Sequence, residues 1–429
     1  MVVGAGLDPR QGLYQYRAKA MRIAGNERKR EHKGMPHWQN WSGKQRSKVD
    51  AIHFARSVDD IAAVVTQLSE TPGKRLRVAG AGHSHAPLVV GADQVLDISG
   101  LSGVIATDAA HQRAKIWGGT PIYMLGRTLH DQGLALRNQG DIDRQFLAGA
   151  CATGTHGSGS QLQNLSASIE SMTLVDGAGQ SRICSKATLG DDFEALKVGL
   201  GAFGVVTEIE LNLRPAFKLR EQSNALRGAE VLENLETLSA SGARFEFFWQ
   251  PRKDAALVKT LQETSDPPAY PIGEEGERCG WNFEVLPNHR PHLHTEMEYS
   301  VAAEDGPKCF AEIRDLLLHR FTDVQWPVEY RTLARDDGWL SNAFERETVT
   351  ISVHEDVRND ERAYYQACEA VFKKYQGRPH WGKVHYGQGA DFMAQYPRWL
   401  DWWRLRDTFD PAGCFLNDFL TSVRPPKAP

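Results

Sequence analysis

The sequence predicts an α+β fold that is divided between two domains. Its 429 residues exceed the ~250–300 residues at which a single hydrophobic core usually stops growing. Up to Pro215 the chain alternates short β-like runs with amphipathic helices, whereas the strands beyond Pro215 are longer and alternate polar with apolar residues. This change in pattern marks the predicted boundary between the domains.

Composition excludes several classes of protein. The chain is 41% hydrophobic and 24% charged, as is ordinary for a globular protein, and its formal net charge is -4. That charge gives no reason to expect nucleic acid or an anionic membrane as a partner. No run of the sequence approaches the ~18 apolar residues of a membrane span. A small-molecule partner is therefore the default expectation.

The cysteines and the first residues indicate the compartment. The six cysteines are far apart and none forms a CxxC pair, which argues against a disulfide framework or a zinc knuckle. Residues 1–34 are basic and glycine-rich, and they lack the apolar segment of a secretion signal. We therefore expect a cytoplasmic protein with a loosely held N-terminal arm; the alternative is that the arm binds a partner.

Helices and short strands alternate through the first predicted domain. A helix over 57–70 has a serine cap, two acidic residues in its first turn and a helical period. A second helix opens at Thr120 and ends at Gly133. Residues 168–184 are predicted to form a hairpin around an Asp-Gly turn. The short strands predicted between these elements are RLRVAG, QVLDIS, SGVIAT and RAKIWGG.

The second predicted domain contains longer strands and two helices. The strands are ARFEFFWQ at 243–250, HTEMEYSVA at 294–302, WPVEYRTLA at 326–334 and TVTISVH at 348–354. Residues 308–321 and 361–375 have a helical pattern. The polar Pro/Gly/Glu stretch over 264–280 is predicted to be a surface loop, with a lid as the alternative. The aromatic tail over 396–418 must dock on the rest of the chain.

Three glycine clusters suggest a site for one extended ligand. The first, VAGAGHSHAP over 78–87, begins like a dinucleotide-binding turn. However, His85 replaces the third glycine, and Pro87 blocks the helix that a nicotinamide-binding Rossmann fold needs. The other clusters lie at 149–159 and 199–204, each beside a predicted strand. Their backbone N–H groups suit a pyrophosphate, so a dinucleotide fits all three clusters; the alternative is three ordinary turns.

Two pairs of polar residues fall on single strand faces. Residues two apart in a strand point the same way, so Glu329 and Arg331 can hold a polyol or lactone through directed hydrogen bonds. A surface ion pair is the alternative interpretation. Ser352 and His354 share a face by the same rule, and His354 taken alone is interpreted as the partner of a carboxylate.

Lys383 follows an aromatic-glycine kink in PHWGKVHY and has His380 and His385 near it. The two histidines have the wrong spacing for a helical metal pair, and the sequence contains no HExxH motif. We therefore predict no metal site.

Taken together, the motifs resemble those of the vanillyl-alcohol-oxidase-type flavoproteins, and within them the sugar-lactone and alditol oxidases. Ten segments match in the family's order and cover nearly the whole chain after residue 35. They are WQNWSG at 38–43, GAGHSH at 80–85, NQGDID at 138–143, AGACATGTHGSG at 148–159, GLGAFGVVTEIEL at 199–211, FFWQPR at 247–252, EMEYSV at 296–301, PVEYR at 327–331, RPHWGK at 378–383 and DPAGCFLN at 410–417.

The resemblance implies a two-domain FAD-binding fold of the vanillyl-alcohol oxidase/PCMH type with an antiparallel-sheet cap domain. The FAD-binding domain would span residues 35–215, and the cap, residues 216–384, would roof the isoalloxazine. Residues 385–429 would return to the FAD domain, which explains why the aromatic tail must dock. The implied cofactor is FAD, attached covalently through His83 of the GxGHS motif rather than through His85.

The resemblance also implies which residues contact the cofactor and the substrate. The family's ExR strand corresponds to Glu329 and Arg331, and its HWGK lysine to Lys383. In this family these groups contact substrate hydroxyls or the N1 region of the flavin, where a cation stabilises the reduced form. The residues expected to bind FAD are Gly80, Ala81, Gly82, His83, Ser84, Gly140, Gly149, Thr153, Thr155, His156, Gly157, Gly204 and Val206.

Three positions, Asp141, Ser352 and His354, depart from the alditol oxidases, and a fourth, Gly140, bears on the choice of electron acceptor. Asp141 stands where those enzymes place a serine beside the flavin, and Ser352 and His354 stand where they have a histidine and a threonine. The predicted site is therefore acidic and differently shaped, with Asp141 as a base or as an anchor for a ring hydroxyl or amine. Gly140 stands where the family guards flavin C4a; a glycine leaves room for oxygen and favours an oxidase over a strict dehydrogenase.

The sequence thus predicts an FAD-dependent oxidase that removes a hydride from a carbinol of a sugar-derived substrate and reduces O2 to H2O2. The substrate would be an aldonolactone, an alditol, or a glycosidic or nucleoside alcohol. The residues expected to carry catalysis are Glu329, Arg331, Lys383, His354, Asp141 and Ser352. The first three would hold the substrate, and His354 or Asp141 would accept the hydroxyl proton.

Two alternatives remain at this point. One is a dehydrogenase of the same fold that passes electrons to a quinone or cytochrome, and the other is a non-redox carbohydrate-binding protein. In each case we expect a monomer or a homodimer.

Overall fold

Residues 35–426 are described by the computed structural model. In chain order the strands are β1 His37–Gln39, β2 Arg46–Lys48, β3 Ala51–Phe54, β4 Leu76–Ala79, β5 Gln94–Asp97, β6 Val104–Asp108, β7 Arg113–Trp117, β8 Leu134–Ala135, β9 Ile169–Val175, β10 Ser181–Ser185, β11 Val205–Asn212, β12 Arg214–Pro215, β13 Lys218–Arg227, β14 Arg244–Gln250, β15 Ala255–Glu263, β16 Cys279–Trp281, β17 His294–Ala302, β18 Val328–Leu333, β19 Thr348–Asp356 and β20 Arg378–Pro379. The helices are α1 Val58–Ser69, α2 Ile122–His130, α3 Leu147–Ala152, α4 Lys186–Leu189, α5 Phe193–Lys197, α6 Gly228–Ser239, α7 Asn282–Val285, α8 Gly306–His319, α9 Arg362–Lys374, α10 Gly389–Gln395, α11 Trp399–Phe409 and α12 Asp418–Ser422.

A small parallel sheet begins the fold. Its strands lie in the order β3, β5, β4, and α1 shares their core through Ile61, Val65 and Leu68. The predicted start of α1 is confirmed: Ser57 Oγ accepts a hydrogen bond from Asp60 N, and Ser57 N donates to the Asp60 carboxylate. The backbone N–H groups of Asp60 and Ser57, at the start of α1, thus both have a hydrogen-bond partner.

A five-stranded antiparallel sheet follows, in the order β10, β9, β11, β7, β6. The predicted hairpin is confirmed, because the whole of β10 pairs antiparallel with residues 171–175 of β9. The aromatic tail docks on this half of the chain, as predicted: Trp399, Trp402 and Phe409 are buried in the same core as Ile116, on β7. The tail therefore contributes core side chains to the half of the molecule that begins near residue 37.

An eight-stranded antiparallel sheet occupies the middle of the chain, in the order β16, β13, β15, β14, β18, β19, β17, β20. One face is apolar and packs against α6, α8 and α9; Phe247, Met297, Tyr330 and Ile351 lie in that core. Because strand residues alternate between faces, the neighbouring polar residues of the same strands point to the opposite side. This polar face carries the candidate substrate site.

Some elements differ from the sequence prediction. The strands β13 and β15, which pair over nine positions, were not predicted, because β13 reads KLREQSNALR and lacks a regular apolar alternation. Helix α2 takes Pro121 as its cap instead of Thr120. The Thr120 hydroxyl donates to Trp117 O at 2.6 Å and is therefore engaged elsewhere.

The polar stretch over 264–280 lies mostly at the surface, as predicted, and its last residues form β16. It is anchored near its end, where Gly276 N donates to the buried Glu221 carboxylate at 2.8 Å. The predicted N-terminal arm, residues 1–34, lies outside the described residues. Among the helices of residues 35–426, none is long and apolar enough to cross a membrane.

Candidate cofactor cleft and substrate site

A cleft opens among the glycine loops of the first half of the chain and encloses about 970 Å³, its opening to solvent included. Residues 80–84, directly after β4, form one wall, and parts of 145–153 and 200–206 form the others. No carbonyl of the described backbone accepts a hydrogen bond from the N–H groups of residues 81–84. Free N–H groups on a cleft wall are donors for a pyrophosphate.

The histidine that interrupts the glycine pattern lines this cleft. The Nε2 atom of His83 is buried and has no hydrogen-bond partner among the described residues. Burial, reinforced by the charge of Lys383, lowers the pKa of His83 to about 4, so the ring is neutral near pH 7. Gly82 turns the loop with a φ of +70°, which favours glycine. A neutral, unpaired ring nitrogen at the wall fits an FAD held in the cleft.

The structure separates the residues predicted to bind FAD into two groups. Those that line the cleft are Gly80, Ala81, Gly82, His83, Ser84, Gly149, Thr153, Gly204 and Val206. Those outside its lining are Gly140, Thr155, His156 and Gly157. The second group lies toward the eight-stranded sheet, where Gly159 N donates to Thr332 O at 2.8 Å. The roles of both groups stay predictions.

The polar face of the eight-stranded sheet brings together most of the predicted catalytic residues. In the register of β17, β18 and β19, Ser352 lies between Glu298 and Glu329. His354 lies one step further along, opposite Glu296. These side chains are buried, with at most 8% of each residue exposed. Buried polar groups are stable only when they are paired with other groups of the protein or with a bound ligand.

Glu298 connects several residues of this site, because three side chains donate hydrogen bonds to it. Its carboxylate accepts hydrogen bonds from His156 Nε2 at 2.7 Å, Arg331 Nη2 at 3.0 Å and Ser352 Oγ at 2.7 Å. Burial opposes ionisation of Glu298, but His156 and Arg331 outweigh it and hold the pKa well below its usual range. Glu298 therefore fixes Arg331 and Ser352 in place as a permanent anion.

The predicted Glu329–Arg331 pair is present, with Glu329 Oε2 at 3.0 Å from Arg331 Nη2. Glu329 Oε1 and Arg331 Nε are both buried and have no hydrogen-bond partner among the described residues. Burial, together with the nearby carboxylates, raises the pKa of Glu329 even though Arg331 opposes the shift. An unpaired acceptor and an unpaired donor side by side are the groups that a hydroxylated ligand would satisfy.

Lys383 lies beside a second carboxylate, because its ammonium forms an ion pair with Glu296. Burial opposes ionisation of Glu296, but Lys383 and His354 keep its pKa well below the usual range. The ring of His354 is fixed by its Nδ1, which donates to Pro327 O at 2.8 Å, and its Nε2 is 3.7 Å from Glu296 Oε1. Burial lowers the pKa of His354 to about 4, so Nε2 carries a free lone pair.

Asp141 is placed differently from the other predicted catalytic residues. Its carboxylate accepts hydrogen bonds from Asn288 and from Arg290 Nε, the latter at 2.9 Å. Arg290 also donates to both oxygens of Glu275, each at 2.7 Å. Both oxygens of Asp141 are thus engaged, which suits an anchoring group better than a proton acceptor.

Sequence reasoning missed several residues of this face, above all Glu296 and Glu298. The signal was present in HTEMEYSVA, where the residues at 294, 296, 298 and 300 are polar and therefore share a face. The segment was predicted to be a strand and matched a family motif, but its polar face was given no role. The contribution of Asn288 and Arg290 from the loop before it has no local signal.

Two family models match the chain. A model described as D-arabinono-1,4-lactone oxidase matches residues 209–289 and 274–423, and a model of an FAD binding domain matches residues 49–185. The resemblance of the motifs to the sugar-lactone oxidases is therefore confirmed, and the cofactor is FAD.

Similar proteins align along nearly their whole length. The L-gulono-1,4-lactone dehydrogenase of Mycobacterium tuberculosis is 33% identical over 430 residues, covering 91% of this chain and all of the relative. An alditol oxidase from a Streptomyces species is 31% identical over 419 residues, covering 90% and 98% of the two chains. The L-gulonolactone oxidase of Mus musculus is 26% identical with the same coverage.

A solved structure shows the fold. The cholesterol oxidase of Brevibacterium sterolicum superposes with a TM-score of 0.78, covering 91% of this chain and 96% of that one at 16% identity. The predicted FAD-binding fold of the vanillyl-alcohol oxidase/PCMH type is thus confirmed. The chain belongs to the D-arabinono-1,4-lactone oxidase family of flavoproteins, FAD-dependent oxidoreductases that act on the CH–OH groups of sugar lactones or alditols.

Proposed function

We propose that the protein oxidises a carbinol carbon of a sugar-derived substrate, an aldonolactone, an alditol or a related polyol, and passes the electrons from FAD to O2. The observation that carries the proposal is the buried, unpaired Oε1 of Glu329 beside the unpaired Nε of Arg331. Two such groups are costly in a protein interior unless a ligand with hydroxyls pairs them. A sugar hydroxyl can donate to Glu329 Oε1 and accept from Arg331 Nε.

Each residue of the polar face has a separate task in this proposal. Arg331 and Glu329 hold substrate hydroxyls, and Glu298 keeps Arg331 in position through its hydrogen bond. Lys383 supplies a positive charge at the edge of the site. The free Nε2 of His354 accepts the proton of the reacting hydroxyl. Bound FAD supplies the hydride acceptor and, afterwards, the electrons for O2.

The substrate class is tested by mixing the purified flavoprotein anaerobically with a panel of aldonolactones, alditols and nucleosides. We expect loss of the 450-nm flavin absorbance with at least one lactone or alditol. No bleaching by any member would contradict the proposal and favour a binding protein. Glu329→Gln should lower kcat/KM by roughly tenfold, because an amide NH2 replaces one of the two oxygens that face Arg331 and the substrate hydroxyl.

The matched control is Glu369→Gln. Glu369 is equally buried but accepts from Tyr299 OH on the apolar side of the sheet, so the variant should bleach as the parent does. If the two variants lose the same activity, the effect of Glu329→Gln comes from stability and Glu329 does not hold the substrate.

One comparison favours the dehydrogenase alternative: a relative that is 33% identical is named a dehydrogenase. Stopped-flow reoxidation of the reduced protein by air and by a soluble quinone separates the two. Reoxidation that is fast with quinone and slow with air would overturn the O2 part of the proposal and leave the substrate part intact.

A further inference from the structure

Two buried histidines converge on one carboxylate beside the cofactor loop. His85 Nε2 is 4.0 Å from Glu296 Oε2, and His294 Nε2 is 3.8 Å from the same oxygen. The three donor atoms all lie within 4.8 Å of one another, and the three residues are 4%, 6% and 5% exposed. We propose that His85, His294 and Glu296 bind a divalent transition-metal ion of the Zn²⁺ class.

The distances leave room for an ion between the three groups. Both histidine–carboxylate separations exceed the ~3.2 Å of an N–H···O hydrogen bond, so the rings point at the carboxylate without bonding it. A tetrahedral Zn²⁺ ion sits ~2.0–2.2 Å from nitrogen and oxygen ligands, which places its ligand atoms ~3.4 Å apart. Each histidine ring must therefore move about half an ångström toward Glu296 Oε2, from 4.0 Å and 3.8 Å, to hold an ion.

The rings are oriented as metal ligands are. His294 Nδ1 donates to the backbone carbonyl of His292 at 2.9 Å, which leaves the Nε2 lone pair directed toward Glu296. Such a hydrogen bond from the far nitrogen is the usual support of a ligating histidine. His85 has its Nδ1 buried without a partner among the described residues, so this ring lacks the support that His294 has.

The ligand chemistry selects the class of ion. Two imidazoles and one carboxylate suit Zn²⁺ and neighbouring transition metals, whereas Mg²⁺ and Ca²⁺ prefer oxygen ligands throughout. The ion pair between Lys383 and Glu296 competes with the ion for the same carboxylate. Removing the Lys383 charge should therefore strengthen metal binding.

A second His/Glu cluster of similar composition serves as the internal comparison. His156, Glu298 and His380 also place three donor atoms within 4.8 Å. There both oxygens of the carboxylate accept hydrogen bonds, from His156, Arg331 and Ser352, whereas the Glu296 carboxylate accepts from Lys383 alone among the described residues. The sequence predicted no metal site because His85 and residues 294–296 lie far apart along the chain.

The test uses the FAD-loaded protein, freed of metal with a chelator and titrated with Zn²⁺. Bound zinc per flavin is measured by mass spectrometry, and the affinity by competition with a zinc-binding dye. We expect about one ion per chain, because the carboxylate of the His156–Glu298–His380 cluster already accepts three hydrogen bonds. His294→Gln and Glu296→Gln should each weaken binding by more than the ~10–100-fold that loss of an outer-shell partner costs.

The control is His380→Gln, the same substitution in the comparison cluster, which should leave zinc affinity unchanged. Lys383→Met should bind zinc more tightly, and this gain cannot result from misfolding. Flavin content and the melting temperature of every variant confirm that it is folded. Failure of the parent protein to bind zinc, an equal loss in His380→Gln, or weaker binding by Lys383→Met would each overturn the proposal. None of these outcomes depends on the substrate, so the proposed oxidation is tested separately.

Discussion

At the scale of single residues, Gly140 and His83 carry the most specific expectations. A Cβ at Gly140 would lie 3.2 Å from Thr155 Cγ2 and 3.3 Å from His156 O. These distances are tight but tolerable, because the threonine methyl can yield by a few tenths of an ångström. An alanine can therefore be introduced here without unfolding the protein.

We predict that Gly140→Ala slows reoxidation by O2 by about tenfold or more, a barrier increase of ~1.4 kcal/mol, since the new methyl occupies the space expected for oxygen. The reductive half-reaction should be unchanged. Stopped-flow measurement of both half-reactions checks this. Equal slowing of both would show that the methyl disturbs the site in general and does not act on oxygen access.

We also predict that His83→Ala releases flavin into the supernatant on acid precipitation, whereas His85→Ala and the parent protein retain it in the pellet. His83 lines the cleft and His85 does not, so we expect the first to be the point of attachment. The absorbance of supernatant and pellet is measured. Release of flavin from the parent protein would show that the attachment is not covalent.

At the scale of elements, the local sequence pattern was sufficient to predict strands with a regular polar–apolar alternation. It was not sufficient to predict strands that lack this alternation. The strand predicted over 294–302 has the bounds of β17, because every second residue is apolar and packs in the core. The polar strand β13 was missed, since its partners lie on a neighbouring strand whose position no local pattern reveals.

The candidate site shows the same difference: contacts within one strand could be predicted, and contacts between distant segments could not. The sequence placed Glu329 beside Arg331, since both lie on one strand. It did not place His156 against Glu298, which are 142 residues apart. Contacts of that kind depend on sheet order and on how the two halves of the chain meet, and neither is encoded in a short segment.

The turn between β14 and β15 offers an element-scale prediction. Asp254 has a φ of +42° and accepts hydrogen bonds from Trp249 Nε1 at 2.9 Å and Arg314 Nε at 2.7 Å. The hydrogen bond from Arg314 lowers the pKa of Asp254 below its usual value. Its side chain is 36% exposed, so the pair is partly screened by solvent.

We predict that Asp254→Asn lowers the free energy of unfolding by about 1 kcal/mol at pH 7, because asparagine tolerates a positive φ but loses the charge and one of the two oxygens that accept from Arg314. A lowered carboxyl pKa stabilises the fold above the pKa of the unfolded state, and this contribution is lost as the pH falls through the folded pKa. The difference between variant and parent should therefore shrink below pH ~4. Urea unfolding at pH 7 and pH 3 measures it; a difference that stays constant would contradict the charge as its cause.

At the scale of the whole molecule, Arg77 ties three distant segments together. Its buried guanidinium donates to the backbone carbonyls of Leu88, Leu200, Gly201 and Phe415. Arg77 also lines the cofactor cleft. One side chain thus joins the strand before the glycine loop, the third glycine cluster and the C-terminal segment.

We predict that Arg77→Met lowers the free energy of unfolding by ~3 kcal/mol or more, because it leaves several buried carbonyls without a donor. The variant should also lose FAD during gel filtration. The control is Arg75→Met, whose parent side chain forms only an exposed ion pair with Asp418. Chemical unfolding and the flavin-to-protein absorbance ratio test both expectations; equal effects in the two variants would contradict the role of Arg77.

The C-terminal contacts of the glycine loop also determine when the protein can acquire its cofactor. His85 N donates to Gly382 O at 2.7 Å, and Arg77 donates to Phe415 O, although the cleft itself is lined only by residues 38–206. At a synthesis rate of ~5–20 residues per second, Gly382 leaves the ribosome roughly 10–35 seconds after the last cleft residue. We therefore expect a chain that stops before Gly382 to retain FAD poorly, because both contacts that support the loop would be missing.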